Sequence, residues 1–125
     1  MNGNRLFLDT NIIIYLLSGD RTLAELINGR VIYVSFITQL ELLSYHALSL
    51  HEEEKISYFL SDCVVVDVNN EIKNKAIDLR KAYRLKLPDS IIIATALHFD
   101  LPLVTSDSLF NKVEELETIY YEQRV

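Results

Sequence analysis

The sequence predicts an α/β fold in which a central, mainly parallel β-sheet is covered by helices on both faces. Short apolar strand candidates alternate with helical segments along the chain, which is the pattern of α/β domains. The strand candidates are continuous apolar runs, as expected of parallel strands buried on both faces. A length of 125 residues with 50% hydrophobic residues suits one core, so we expect a single domain over residues 1–125.

The strand candidates are rich in β-branched and aromatic residues, which fit the pleated surface of a sheet. They are Leu6–Leu8, Val31–Val34, Cys63–Val68, Leu101–Val104 and, as an edge strand, Thr118–Tyr121. Between them, periodic apolar residues and polar capping residues predict helices. The predicted helices are Thr10–Ser18, Thr22–Asn28, Ser35–Leu50, Glu52–Leu60, Asn70–Leu85, Pro88–Phe99 and Ser108–Glu114.

Composition excludes several classes of protein. Twelve basic and 18 acidic residues give a net charge of −6, which argues against a general nucleic-acid binder, because these are usually basic. The early apolar run Ile12–Leu17 is far shorter than the ~20 residues of a membrane span, so no membrane association is expected. The single Cys63 forms no internal disulfide and favours a reducing, cytoplasmic location.

Carboxylates follow two of the predicted strands. Asp9 comes directly after the first strand, and Asp107 follows the strand that ends at Val104. The carboxyl ends of parallel strands lie along one edge of a sheet, where ligands bind, so we expect both acids at that edge. Asp89 opens a buried helix, and Glu41 lies among leucines in another.

Each of these acids also has a purely structural interpretation. Asp9, Asp89 and Asp107 all precede helical patterns, where Asp is a common cap. Glu41 could lie on a solvated stripe of its helix with Thr38 and Ser44. A pocket that holds all four carboxylates, however, needs protons or cations to neutralise it at neutral pH. Oxygen-only ligands favour a hard ion, Mg²⁺ or Mn²⁺, which can activate water for phosphodiester cleavage.

Four segments resemble the motifs of PIN-domain nucleases in the same order. Residues 7–11 (FLDTN) are similar to the first motif, and Glu41 occupies the position of the helix-borne acid. Residues 87–97 (LPDSIIIATAL) resemble the third motif, and residues 103–110 (LVTSDSLF) the fourth. The order, spacing and length are most similar to VapC-type toxins of bacterial toxin–antitoxin pairs.

The resemblance implies a PIN-like three-layer sandwich, with a sheet of four or five strands, and an endoribonuclease that depends on Mg²⁺, for which Mn²⁺ can substitute. Asp9 and Asp89 would be the principal metal ligands, and Asp107 and Glu41 would complete the catalytic pocket directly or through water. The supporting residues would be Thr10, Asn11, Thr105 and Ser106. The implied partners are RNA, a small VapB-like antitoxin and a second copy of the chain in a homodimer.

Half of the basic residues lie between Lys73 and Lys86, with Asp78 as the one acid among them. This segment is either the solvated face of an amphipathic helix or a track for RNA phosphates, since phosphate contacts position a nucleic acid. Arg84 and Lys86 are the best candidates for such contacts, because they lie close to Asp89 in the sequence.

Two other functions remain open at this point. A phosphorelay receiver domain shares the length and the early strand-end acid, and Asp67 could be its phosphoacceptor. Against it, Asp9 is followed by Thr10 instead of a second acid, and no Lys follows the strand before Asp107. A non-catalytic PIN-like interaction module is the other alternative, although the complete set of acids argues against it.

Overall fold

The computed structural model describes residues 4–123 and contains one five-stranded sheet. The strands are β1 (Arg5–Leu8), β2 (Val31–Ser35), β3 (Val64–Val66), β4 (Leu103–Thr105) and β5 (Thr118–Tyr120). Their order in the sheet is β3-β2-β1-β4-β5, and every neighbouring pair is parallel. The predicted parallel α/β fold is therefore confirmed.

Six α-helices and one short 3₁₀ helix (Ser108–Lys112) connect these strands in the described part of the chain. The α-helices are α1 (Thr10–Leu17), α2 (Arg21–Ile27), α3 (Phe36–Leu43), α4 (Leu50–Ser61), α5 (Asn70–Tyr83) and α6 (Leu87–His98). Helix α5 has the predicted amphipathic character, because Ile72, Ala76 and Leu79 are its buried residues.

The strand order explains why helices cover both faces. The chain runs from β1 outward to β2 and β3, and then crosses back over the sheet to β4 on the other side of β1. Crossovers between parallel strands are right-handed, so helices of the outward and return connections lie on opposite faces. Side chains of β1 alternate accordingly: Phe7 packs in the core with α5 and α6, whereas Leu6 and Leu8 pack in the core with α1.

The sheet reverses its winding between β1 and β4, which is the position where open α/β sheets bind ligands. In this pair Leu8 lies opposite Val104, and the backbone N–H of Asp9 donates to the Val104 carbonyl oxygen at 3.1 Å. The residues that follow β1 and β4 are therefore held side by side at the carboxyl edge.

The prediction of one helix over Ser35–Leu50 is wrong, because α3 ends at Leu43 and α4 begins at Leu50. Ser49 starts the new helix with a capping box, in which its hydroxyl accepts from the Glu52 N–H and the Glu52 carboxylate accepts from the Ser49 N–H. Such a box satisfies two otherwise free backbone donors. It starts α4 at Leu50, the residue where the first helix was predicted to end and two residues before the predicted start of the second at Glu52.

Two predicted strands and one predicted helix are also shorter in the structure. The strand over Cys63–Val68 contains only Val64–Val66, because the Cys63 N–H donates to the Leu60 carbonyl oxygen in the turn that ends α4. The strand over Leu101–Val104 begins at Leu103, since the Leu101 N–H still bonds to Ala96 of α6. The helix over Ser108–Glu114 is a 3₁₀ helix that ends at Lys112.

The strand order also excludes the receiver-domain hypothesis. Flavodoxin-like receivers have the order 2-1-3-4-5, whereas this sheet has β3-β2-β1-β4-β5. Asp67 follows β3 at the edge of the sheet, two strands from Asp9, so it cannot share a pocket with the acid after β1. Within residues 4–123, no helix is long and apolar enough to cross a membrane.

Candidate active site

Asp9 is the most firmly held acid at the carboxyl edge of the sheet. It lies between β1 and α1, caps α1, and only 8% of its surface is exposed. Its Oδ1 accepts from the Thr10 backbone N–H at 2.8 Å, and its Oδ2 accepts from the Thr105 hydroxyl at 2.8 Å. The capping interpretation is therefore correct, but a cap does not require burial or a hydroxyl donor from a distant strand.

Thr105 connects the ends of β1 and β4. Its hydroxyl donates to Asp9 and accepts from the backbone N–H of Asp107 at 3.0 Å. Asp107 itself caps the 3₁₀ helix, because its Oδ1 accepts from the Leu109 N–H at 2.9 Å. The fully buried Thr105 thus fixes the relative positions of two acids that are distant in the sequence.

Thr10 makes the corresponding connection to the acid on α3. Its hydroxyl donates to Glu41 Oε1 at 2.7 Å and lies 2.9 Å from the Thr38 hydroxyl. A hydroxyl has one proton to donate, so Thr38 must be the donor to Thr10. Glu41 is exposed and hydrogen-bonded at once, which reconciles the solvated and the pocket interpretations.

Asp89 is positioned differently from the other acids. It lies in the first turn of α6, after Pro88 at the start of the helix. The helix cap is Lys86, so Asp89 does not serve as the cap. Among the described residues, none donates a hydrogen bond to the Asp89 carboxylate. Its orientation is thus set by α6 and by the charges that surround it.

The charges of the four carboxylates act on one another. Burial raises the pKa of Asp9, and the charges of Asp89 and Asp107 raise it further, against the hydrogen bonds from Thr105 and Thr10. Burial also raises the pKa of Asp89, and Asp107 and Glu41 add to the increase, while Lys86 opposes it. Each acid thus lies within electrostatic range of at least one other.

The acids do not form a ready-made coordination shell. Within residues 4–123, no group of three or more His, Cys, Asp or Glu side chains is arranged to hold a metal ion by itself. Mg²⁺ does not require such a group, because it usually keeps several waters and takes one or two carboxylates from a protein. The carboxyl edge of the sheet with Asp9, Glu41, Asp89 and Asp107 is called the rim below. The metal-binding donors available there are oxygen atoms, the type that Mg²⁺ and Mn²⁺ prefer.

The remaining predicted residues lie around these acids. Asn11 is exposed in the first turn of α1, and Ser106 is half-buried between Thr105 and Asp107. Lys86 lies beside Asp89, as its effect on the pKa of that acid indicates. Arg84 is exposed at the end of α5 and lines a surface cleft.

Thr38 is a participant that the sequence analysis treated only as a polar neighbour of Glu41. It is fully buried, and its hydroxyl supports Thr10, which in turn holds Glu41. Its spacing of three residues before Glu41 places both on one face of α3. A threonine three residues before the acid is the feature of the sequence that could have indicated this role. Its partner, Thr10 on α1, can be identified only from the structure.

A comparison with protein families identifies the fold. The model of the PIN domain matches residues 6–116, which is most of the 125-residue chain. The chain belongs to the PIN domain family. The family identified from the four motifs is thereby confirmed.

Solved structures share the fold over nearly the whole chain. A toxin–antitoxin complex from Klebsiella pneumoniae is 31% identical, with a TM-score of 0.82 over 94% of this chain and 99% of that one. VapBC2 from Rickettsia felis, bound to a DNA fragment from its promoter, is 22% identical with a TM-score of 0.81 and the same coverage. VapBC-5 from Mycobacterium tuberculosis is 21% identical, with a TM-score of 0.70 over 94% and 99% of the two chains.

These relatives agree with the similarity to VapC-type toxins indicated by the motifs. PIN domains of this type are nucleases, so the general class of activity follows from the family. A comparison with curated proteins gives no significant match.

Proposed function

We propose that this PIN domain is an endoribonuclease that depends on Mg²⁺, or on Mn²⁺ in its place. The observation that carries the proposal is the convergence of Asp9, Glu41, Asp89 and Asp107 at the point where the sheet reverses. Two unit charges 4 Å apart interact by about 4 kcal/mol at an effective dielectric constant of 20. A cluster of this kind is costly unless a cation neutralises it, which makes a structural role for all four acids a poor explanation.

Asp9 and Asp89 would bind the ion directly, and Asp107 and Glu41 would act through coordinated water. This division fits the absence of a three-residue metal cluster in the described chain and the preference of Mg²⁺ for few carboxylates. When bound, the ion would activate a water molecule and stabilise the charge that develops on the phosphate. Water would be the nucleophile, without a covalent link between enzyme and RNA.

The other residues of the rim would fix these carboxylates in place. Thr105 would hold Asp9 and Asp107 at a constant separation, and Thr10 would hold Glu41 against α1. Asn11 and Ser106, which are next to these residues, would orient the first loop and the phosphate. Lys86 and Arg84 would attract the RNA backbone towards Asp89, since phosphate contacts position the substrate.

The proposal is tested by incubating the purified chain with single-stranded and structured RNA in Mg²⁺, in Mn²⁺ and in EDTA. We expect cleavage only with the metals, and none from Asp89→Asn. Glu54→Gln is the matched control, because Glu54 is an exposed acid on α4 outside the rim, and it should cleave as the wild type does. Equal cleavage by Asp89→Asn, or cleavage in EDTA, would contradict the proposal.

We also propose that the chain acts as the toxin of a toxin–antitoxin pair, with a small VapB-like antitoxin as its partner and a homodimer as its working form. Similarity to the Klebsiella pneumoniae toxin–antitoxin complex supports the partner. A largely apolar groove of about 340 Å³ lies between α1, α3 and α4, with exposed Ile14 and Tyr45, and it reaches Thr10 and Glu41. An antitoxin segment in this groove could direct an Arg or Lys at the acids.

The toxin role predicts that expression of the chain alone arrests bacterial growth, whereas Asp89→Asn permits it. Ile14→Glu should remain toxic but escape neutralisation by its cognate antitoxin, because a charge in the groove opposes apolar docking. Equal growth with wild type and Asp89→Asn would leave the nuclease proposal standing and remove the toxin role.

A further inference from the structure

The structure divides the basic residues of the segment from Lys73 to Lys86 by their surroundings. Lys75 is ion-paired with Glu115 at 3.1 Å, and Lys86 lies beside Asp89. Three others, Arg80, Lys81 and Arg84, line one open cleft of about 450 Å³. Half of the basic residues of this segment therefore converge on a surface separate from the carboxylates.

The lining of this cleft combines basic and apolar side chains, which suits a ligand with an anionic group next to an apolar one. Ile77 and Leu85 complete its lining, and Ile77 is 52% exposed. No carboxylate contributes to the lining in the described part of the chain. Three cations without an opposing acid repel one another, so the site favours a polyanion that contacts all three.

Arg80 is oriented for such a contact by the backbone. Its Nε donates to the Leu85 carbonyl oxygen at 3.1 Å, which ties the guanidinium to the end of α5. The guanidinium has five N–H donors in a planar arrangement, so its terminal nitrogens remain available. A fixed guanidinium binds phosphate with little loss of side-chain freedom.

Arg84 occupies a backbone position that does not favour an arginine. It ends α5 in the left-handed conformation, with φ 55, and its N–H donates to the Arg80 carbonyl oxygen at 2.9 Å. This position of a helix usually holds glycine, because a Cβ is strained there. An arginine at this position gives up backbone stability and gains a cationic side chain in the cleft.

The cleft lies at the same end of the molecule as the acids. His98 at the end of α6 contacts Asn69 and Glu71 at the start of α5, so the two helices are antiparallel. The end of α5 therefore lies beside the start of α6, where Asp89 is. Asp89 is five positions after Arg84 in the chain, a span of at most about 18 Å.

We propose that Arg80, Lys81 and Arg84 form a phosphate-binding subsite for the RNA backbone outside the acidic rim. The subsite rests on the proposed ribonuclease function and extends it, because it assigns the strand a path from Asp89 across the end of α5. Binding there is independent of base identity, since phosphates carry no sequence information.

The test measures binding of a short fluorescent single-stranded RNA by anisotropy, in EDTA and over a series of salt concentrations. All proteins carry Asp89→Asn so that the RNA stays intact. We expect Arg80→Gln, Lys81→Gln and Arg84→Gly together to weaken binding by about tenfold or more. Loss of three phosphate contacts should reduce the slope of log K against log salt by about 2.

The control removes the same charge elsewhere, with Arg21→Gln, Arg30→Gln and Lys73→Gln, and should change the affinity by less than the cleft variant. Arg84→Gly alone should melt no lower than its parent, because glycine relieves the strained backbone, yet should bind RNA more weakly. Equal weakening by both triple variants, or an unchanged slope, overturns the subsite. A change in self-association of the cleft variant also overturns it.

Failure of the subsite and of the ribonuclease proposal can be told apart. If wild type cleaves RNA with Mg²⁺ but the cleft variant binds as its parent does, only the subsite is wrong. If wild type neither cleaves nor binds RNA, both proposals are wrong.

Discussion

Two acids of the same rim, Asp9 and Asp89, are held in opposite ways. Asp9 is buried after a central strand, and each of its oxygens accepts a hydrogen bond. Asp89 is half-buried at a helix start, and no hydrogen bond to its carboxylate comes from residues 4–123. The sheet thus provides a fixed carboxylate, and α6 provides one whose oxygens stay free for ligands.

This difference separates two requirements of the proposed metal site. A ligand that must not move is best attached to a strand end and to backbone and hydroxyl donors, as Asp9 is. A carboxylate that must exchange water, ion and substrate contacts is better left without protein donors, as Asp89 is. Residues that support a ligand are therefore as informative as the ligands, because they set how far each carboxylate can adjust.

The largest expected effect on the rate of RNA cleavage comes from removing the charge of Asp9 or of Asp89. Asp9→Asn and Asp89→Asn should each reduce the rate of RNA cleavage by at least about 10³-fold, because each removes a ligand of an ion that contributes several kcal/mol to the transition state. Single-turnover rates at saturating Mg²⁺ measure this. A loss below tenfold for Asp89→Asn would contradict its role as a direct ligand.

Charge-retaining variants sharpen the comparison. Asp89→Glu should keep a measurable rate, about tenfold below wild type, because its longer side chain has free space to adjust. Asp9→Glu should lose about 100-fold or more, since an extra methylene in a packed site forces displacements. The cleavage rates of the two variants are measured side by side. A higher rate for Asp9→Glu than for Asp89→Glu would contradict the distinction between a fixed and an adjustable carboxylate.

Thr105→Val tests whether the fixed acid depends on its support. The variant removes the hydroxyl that donates to Asp9 and leaves the Asp107 N–H without its acceptor. An unsatisfied buried donor costs about 1–3 kcal/mol, so we expect that loss in the free energy of unfolding and a rate about 10- to 100-fold lower. Chemical denaturation and cleavage assays measure both, and Thr118→Val, on an exposed hydroxyl, is the control.

Without metal, the contribution of Asp9 and Asp89 to the stability of the fold should fall as pH rises, the opposite of the usual behaviour of carboxylates. Asp9 and Asp89 have folded pKa values raised above the ordinary 3.8, so the folded state binds more protons between those values. Stability from these two groups therefore falls as pH rises through that window. In EDTA, Asp89→Asn should melt a few degrees above wild type at pH 7, and the difference should shrink towards pH 4. A difference that is constant with pH would contradict the repulsion.

The smallest effect is expected far from the acids. Ser49→Ala removes the capping box that starts α4 and should lower the free energy of unfolding by about 1 kcal/mol. The cleavage rate at a temperature well below melting should not change, because Ser49 contacts none of the acids. A rate loss comparable to that of Thr105→Val would connect α4 to catalysis and contradict this separation.

Sequence alone predicted the parallel sheet and the shared edge, because apolar strands and strand-end acids obey rules of topology. Leu8 and Val104 end the two predicted strands, and any parallel arrangement brings such ends to one edge of the sheet. The four motifs added the family, which is confirmed, and the proposed roles of Asp89 and Glu41, which no strand rule supplies.

The parts that sequence did not predict depend on local capping and on contacts between distant residues. The first of two helices was predicted to run to Leu50, but α3 ends at Leu43 and the capping box of Ser49 and Glu52 starts α4 at Leu50. The support of Glu41 by Thr38 and Thr10 joins two helices 28 residues apart in the chain. The cleft around Arg84 required knowledge that α5 ends in a left-handed residue beside the start of α6.

Direct binding of Mn²⁺ tests the central claim, that Asp9 and Asp89 share a divalent ion at the sheet edge. Titration followed by electron paramagnetic resonance should show saturable binding to wild type and to the exposed-acid control Glu54→Gln. Asp9→Asn and Asp89→Asn should each weaken it by at least about tenfold, the effect expected for loss of one ligand. Unchanged Mn²⁺ affinity in both variants would contradict the account.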